Sequence, residues 1–208
     1  MTVEQHLARA AEAQKQRRPS DVVREAEAVL RLRSDHPVAH NILGMEALER
    51  KDTATAARHF EAAARADPRA APLWINLAKA HRMAGDDAAE RSALESALET
   101  DQRHLTALIR LAELHERRGE FGDATTRWAG VAALAGQQAG AGPELRAIFD
   151  HARAFLADRK QQLADAFATG LAGVFRPGII AVACRTCASR RRRTSSRGRR
   201  SKTMTAIR

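Results

Sequence analysis

Tyrosine is absent from this 208-residue chain, and all aromatics together make up 4% of it. Cysteine is nearly absent too: Cys184 and Cys187 are the only two. The first 183 residues thus carry no disulfide framework, which fits a reducing, cytoplasmic setting. No apolar run approaches membrane-spanning length; the longest, GIIAVAC after Pro177, is far too short. The N-terminal MTVEQHLARAAEAQ lacks the apolar core of a signal peptide. No useful length alternates with period two, so strands are not expected. G-x-S-x-G, a phosphate-cradling glycine loop and H-E-x-x-H are all missing. The body reads as a non-enzymatic scaffold with no catalytic residue, cofactor or metal.

Acidic residues are missing from one segment in particular. Between Arg176 and Arg208 there are ten arginines and one lysine but no Asp or Glu. This segment accounts for the whole net charge of +10, because 24 basic and 25 acidic groups remain before it. It includes CRTCASRRRRTSSRGRR, whose Cys-x-x-Cys is half of a zinc site with no second half. The segment reads as a disordered basic tail. Nucleic-acid binding through it would be weak, salt-sensitive and without sequence preference, and ranks last among the functions considered.

What the chain has in abundance is Ala, Leu, Arg and Glu, a helix-forming composition. These residues recur with a period of 34. Units 3–36, 37–70, 71–104 and 105–138 follow one another without insertion. The eighth position is always small (Ala10, Gly44, Ala78, Ala112), which lets two helices approach closely. The twenty-fourth is Ala26, Phe60, Leu94 or Trp128, and the twentieth is small except for Glu90. Each unit is expected to hold helices over its positions 2–14 and 18–31, separated by a tight turn. Gly85 and Gly119 occupy that turn, where a left-handed backbone is needed.

A 34-residue helix-turn-helix with these positions resembles the tetratricopeptide repeat. Trp74, Leu77, Ala78, Gly85, Leu94 and Ala97 carry the likeness, while His81 and His115 stand where that family has Tyr. The implied fold is all-α, a right-handed α-solenoid of four repeats. A further helix over 143–171 would cap it, with Leu145, Ile148, Phe149, Ala152, Leu156, Leu163 and Phe167 in one apolar stripe.

The resemblance also implies a function: a protein or peptide partner held in a groove lined by the first helices. Carried onto this chain, the inward positions are Asn41, Met45 and Leu48 in the second unit. The third gives Ile75, Lys79, Arg82 and Met83, and the fourth Ile109, Glu113, Glu116 and Arg117. The Lys/Asn clamp for a C-terminal carboxylate is not reproduced, since Leu7 and Ala11 take its first places. His81 and His115 read as packing residues rather than ligands, and His36, His40, His59 and His104 follow no ligand spacing.

Residues 37–163 also resemble, in their wording, the N-terminal region of bacterial aspartyl/asparaginyl β-hydroxylase family proteins. There the repeats precede an iron(II)- and 2-oxoglutarate-dependent jelly roll. No histidine follows His151 and no alternating strands appear. The expectation is a repeat domain without its enzyme, with 176–208 read out of frame.

Overall fold

The structure, a computed structural model, describes residues 1–135 and 140–174. Side chains are described as far as Thr169, and the basic tail of 176–208 lies outside the described residues. The chain divides into two compact units, Met1–Leu156 and Ala157–Arg208.

The first unit is built from helix pairs. In order these are α1 (Val3–Lys15) with α2 (Pro19–Leu32), and α3 (Pro37–Glu49) with α4 (Thr53–Ala66). Next come α5 (Ala71–Ala84) with α6 (Asp87–Thr100), and α7 (Leu105–Arg117) with α8 (Phe121–Ala135). The last helix, α9 (Pro143–Val174), starts in the first unit and runs into the second. No strand occurs among the described residues. Each helix of a pair starts one residue before its expected position. Pro19, Pro37 and Pro72 sit within the first turns of their helices, where a missing N–H costs nothing.

Four identical turns join the pairs. In each, an N–H just past the helix end bonds a carbonyl five residues back: Arg18 to Ala13, Asp52 to Ala47, Asp86 to His81 and Glu120 to His115. The residue immediately before that donor is left-handed in every case. Gly85 and Gly119 fill that place at φ 77° and 73°, as the sequence indicates. Arg17 and Lys51 fill it at φ 54° and 61°, with no glycine to mark them.

The core runs along the seam of the pairs. Ala26, Phe60, Leu94, Ala78, Ala112 and Val131 have no exposed surface, and Trp128 is sealed beside them. Gly44 is required by its partner: a Cβ there would meet the Phe60 ring at 2.6–2.9 Å. The unit with the bulky Phe60 is thus the one whose eighth position has shed its side chain. On α9, Phe149 and Ala152 are buried and join the same core.

In the second unit the expected apolar stripe does not hold. Leu163 is 64% exposed and Phe167 71% exposed. A 15-residue helix such as α8 spans roughly 22 Å, whereas the 32 residues of α9 span roughly 48 Å. Regular spacing marks a stripe along a helix but does not show whether another element covers it.

Candidate partner-binding face

The expected partner-binding residues fall on α3, α5 and α7, the first helices of three successive pairs. Asn76 Nδ2 on α5 donates to Asn41 Oδ1 on α3 at 2.8 Å. Arg82 on α5 pairs with Glu113 on α7 at 3.4 Å, both about two-fifths exposed. Asn41, Arg82 and Glu113 thus border the contacts between consecutive pairs. Lys79 is half-buried on α5 and makes no ion pair or hydrogen bond among the described residues. Met45 and Ile109 are partly buried against the core, and Met83 is 48% exposed.

Leu48 and Ile75 are placed differently. At 4% and 9% exposure they belong to the core and offer little surface to a partner. Glu116 and Arg117 are occupied within the fold. Glu116 accepts from Trp128 Nε1 at 3.0 Å and lies 3.1 Å from His151 Nε2 on α9. Arg117 donates to Asp87 at 3.0 Å and to Glu90 at 3.2 Å. The resemblance assigns these residues to the inward side of their helices. It does not say whether a head group is already satisfied within the fold.

Glu90, which stands where a small residue is usual, is 1% exposed. Burial raises its carboxyl pKa, and the Arg117 guanidinium acts against that rise. A longer network lies beside it. Glu120 accepts from Arg91 at 2.6 and 2.8 Å and from Arg118 Nε at 2.9 Å, and its Oε2 is 2.6 Å from His115 Nδ1. The His115 hydrogen bond, then those from Arg91, lower the Glu120 pKa to about 2. His115, Glu120 and Asp123 are close enough together to invite a metal reading. Two guanidinium groups already occupy Glu120, however, which suits a structural ion-pair network better.

The remaining histidines have separate tasks. His36 and His104 are N-caps: each Nδ1 accepts from the backbone N–H three residues on, at 3.4 Å. His40 and His59, nineteen residues apart, meet across α3 and α4 with their Nδ1 atoms at 3.1 Å. In the first pair His6 and Glu25, also nineteen apart, meet at 2.7 Å. Both contacts join the fourth and twenty-third positions of a 34-residue unit. That shared register could have been noticed in the sequence. An open cavity of about 620 Å³ lies alongside, lined by Val23, Leu30, Leu43, Glu27, Asp52 and His59 among others.

No helix among the described residues is long and apolar enough to cross a membrane. No family model and no curated protein matches the chain. Solved structures do. A crystal structure of MamA protein superposes with a TM-score of 0.60 at 15% identity, covering 78% of this chain and 94% of that one. The Cut9–Hcn1 hetero-tetramer of the APC/C gives a TM-score of 0.59 at 19% identity over 73% of this chain, which covers 30% of that one. PcrH in complex with the chaperone-binding region of PopD gives 0.50 at 20% identity, covering 59% and 90%. At these identities the likeness concerns fold. With the helix pairs and their identical turns, it gives this chain the all-α fold of a tetratricopeptide-type solenoid.

Proposed function

We propose that the chain is a non-enzymatic interaction scaffold that holds an acidic segment of a protein partner against α3, α5 and α7. The observation that carries this reading is Lys79. It is a half-buried cation with no partner among the described residues, set on the middle helix between the Asn41–Asn76 and Arg82–Glu113 contacts. An ammonium in that position gains most from a carboxylate brought by another chain, because the competing water is partly excluded. Met45 on α3 and Ile109 on α7 are partly buried apolar residues that a partner side chain would cover further. Arg82 is bound to Glu113 by a long, exposed contact, which an incoming acid can displace at little cost. The solved neighbours include one with a bound segment of another protein, PcrH with the chaperone-binding region of PopD.

The test is a displayed peptide library selected on the full chain. Acidic peptides should be enriched, and Lys79→Glu with Arg82→Glu should weaken their binding by about tenfold or more at unchanged helicity. Equal binding by the reversed-charge variant would overturn the reading. The likeness of residues 37–163 to the aspartyl/asparaginyl β-hydroxylase repeats stands as a second reading. It rests on the wording of the sequence, and sequencing the DNA beyond the last codon decides it. A following frame rich in strands and histidines supports it, and none rejects it.

A further inference from the structure

The open cavity lined by α2, α3 and α4 has no role in the partner-binding face. We infer that it is a binding site for a small molecule built on an N–H-bearing aromatic ring, of the indole or imidazole class. The repeat itself supplies the comparison. Residues two periods apart hold equivalent positions, so the junction of α2 with α3–α4 can be laid over that of α6 with α7–α8. In the later junction an imidazole fills the space between the helices. His115 on α7 is 3% exposed, and its Nδ1 lies 2.6 Å from Glu120 Oε2. Asp123 belongs to the same cluster, and Arg91 on α6 reaches Glu120.

In the earlier junction the same positions line the cavity of about 620 Å³. Asp52 corresponds to Glu120, Thr55 to Asp123 and Val23 to Arg91, and the residue in the place of His115 is Ala47. The later junction has an open cavity too, of about 550 Å³. Its lining of Glu95, Leu98, Glu99 and Arg127 corresponds only to the outer residues of the first, Glu27, Leu30, Arg31 and His59. Farther in, Leu111 has no exposed surface, whereas its counterpart Leu43 lines the earlier cavity. The ring of His115 thus closes the inner space of its junction. Ala47 leaves the inner space of the earlier one accessible to a ring brought by a ligand.

The inner lining suits such a ring chemically. Val23, Leu43 and Ala47 supply apolar walls, and an aromatic face laid on them releases water from both surfaces. Asp52 supplies the acceptor. Its Oδ1 takes the Thr55 N–H at 3.0 Å to cap α4. The Thr55 backbone, then its side chain, hold the Asp52 carboxyl below its usual range, so the group is charged at neutral pH. A carboxylate has about four acceptor positions, which leaves room for a ring N–H, as Glu120 takes up His115 beside two guanidinium groups. At the mouth Glu27, Arg31 and Arg50 present charge of both signs. Recognition therefore rests on the ring and its N–H rather than on the net charge of the ligand.

The experiment is titration of the full chain with indole at pH 7.5, followed by the NMR shifts of its Val, Leu and Ala methyl groups. Shifts should centre on Val23, Leu30, Leu43 and Ala47, with a Kd of about 0.1–1 mM. 1-Methylindole keeps the rings but loses the N–H, and should bind at least about fivefold more weakly. Asp52→Asn still caps α4 and should weaken indole to a similar degree. Ala47→His installs the residue that the third and fourth units carry at this position, and should abolish indole binding at unchanged helicity. Should that variant fail to fold, the 1-methylindole and Asp52→Asn comparisons still decide. Shifts scattered over all the helix pairs, none at about 10 mM indole, equal binding of 1-methylindole, or undiminished binding by folded Ala47→His would each overturn the proposal.

Discussion

The first two helix pairs and the last two solve the same packing problem with different residues. At the turn, α5–α6 and α7–α8 use Gly85 and Gly119, while α1–α2 and α3–α4 hold Arg17 and Lys51 in the same left-handed conformation. At the fourth and twenty-third positions, the early pairs place His6 against Glu25 and His40 against His59. The third unit has Trp74 and Ala93 there, and the fourth Leu108 and Arg127. The later pairs put their buried polar groups elsewhere, at Glu90–Arg117 and around Glu120. A repeat fold constrains the backbone and the volume between helices, and it leaves open which position carries ionisable chemistry. In a solenoid, where stability is a sum of unit and neighbour terms, this difference should make the two halves respond differently to the same stress.

The largest effect is expected inside α3–α4. Gly44→Ala gains helix propensity of at most about 1 kcal/mol. The new methyl group would meet the Phe60 ring at 2.6–2.9 Å, and that ring has no exposed surface through which to move away. Overpacking of this kind costs about 1–3 kcal/mol, so destabilisation wins. Urea unfolding should show it as a lowered midpoint. In a Phe60→Leu background the pair becomes Ala with Leu, as at Ala78 and Leu94, and the penalty of Gly44→Ala should vanish. If the penalty persists there, Phe60 is not its cause.

Acid should separate the halves next. His36 and His59 have pKa values lowered from 6.5, chiefly by burial. The unfolded chain then takes up those protons first as pH falls. Their contribution is present above about 6.5 and is lost as pH drops through the lowered folded values. Glu120 also has a lowered pKa, but its loss occurs between 4.5 and about 2. Glu90 has the opposite sign, since a raised carboxyl pKa favours the folded state on mild acidification. Hydrogen exchange near pH 5.5 should therefore show α3–α4 opening more readily than at pH 7.5, with α7–α8 unchanged. Uniform loosening of all four pairs would contradict this division.

Glu90→Gln tests the sign at a single residue. It removes a buried charge but keeps an acceptor for Arg117. A small gain in stability is expected at pH 7.5, shrinking on acidification as Glu90 itself takes up a proton. A loss at pH 7.5 that shrinks on acidification would show that the ion pair, rather than burial of the charge, governs the site.

The period of 34 made the helix pairs legible, because small and large residues must recur wherever two helices touch. Gly85 and Gly119 marked their turns for the same reason. Arg17 and Lys51 did not, since the turn is enforced by hydrogen bonds from Arg18 and Asp52 rather than by the residue's own preference. Leu48 and Ile75 were read as partner-facing because the resemblance carries over a position on the helix but not the depth of the neighbouring helix. The exposed Leu163 and Phe167 show the same limit at the other extreme. The His40–His59 contact was missed because histidine spacing was compared only along the chain. Their contact comes from a whole helix-turn-helix folding back on itself.

The smallest expected effect returns to the turns. A left-handed conformation costs a non-glycine residue about 1–2 kcal/mol, and glycine there pays in the flexibility of the unfolded chain instead. Lys51→Gly should therefore stabilise α3–α4 by at most about 1 kcal/mol, and Arg17→Gly should do the same for α1–α2. Neither side chain makes an ion pair among the described residues, so little is lost with it. The reverse change, Gly85→Lys, meets open space around its new Cβ, and so isolates the backbone term from any clash. It should cost what Lys51→Gly gains. Equal and opposite shifts in thermal midpoint would show that the early turns are strained copies of the later ones. If Lys51→Gly instead destabilises, the lysine stem packs usefully on the turn, and the two halves differ there by design of the side chain rather than by tolerance of strain.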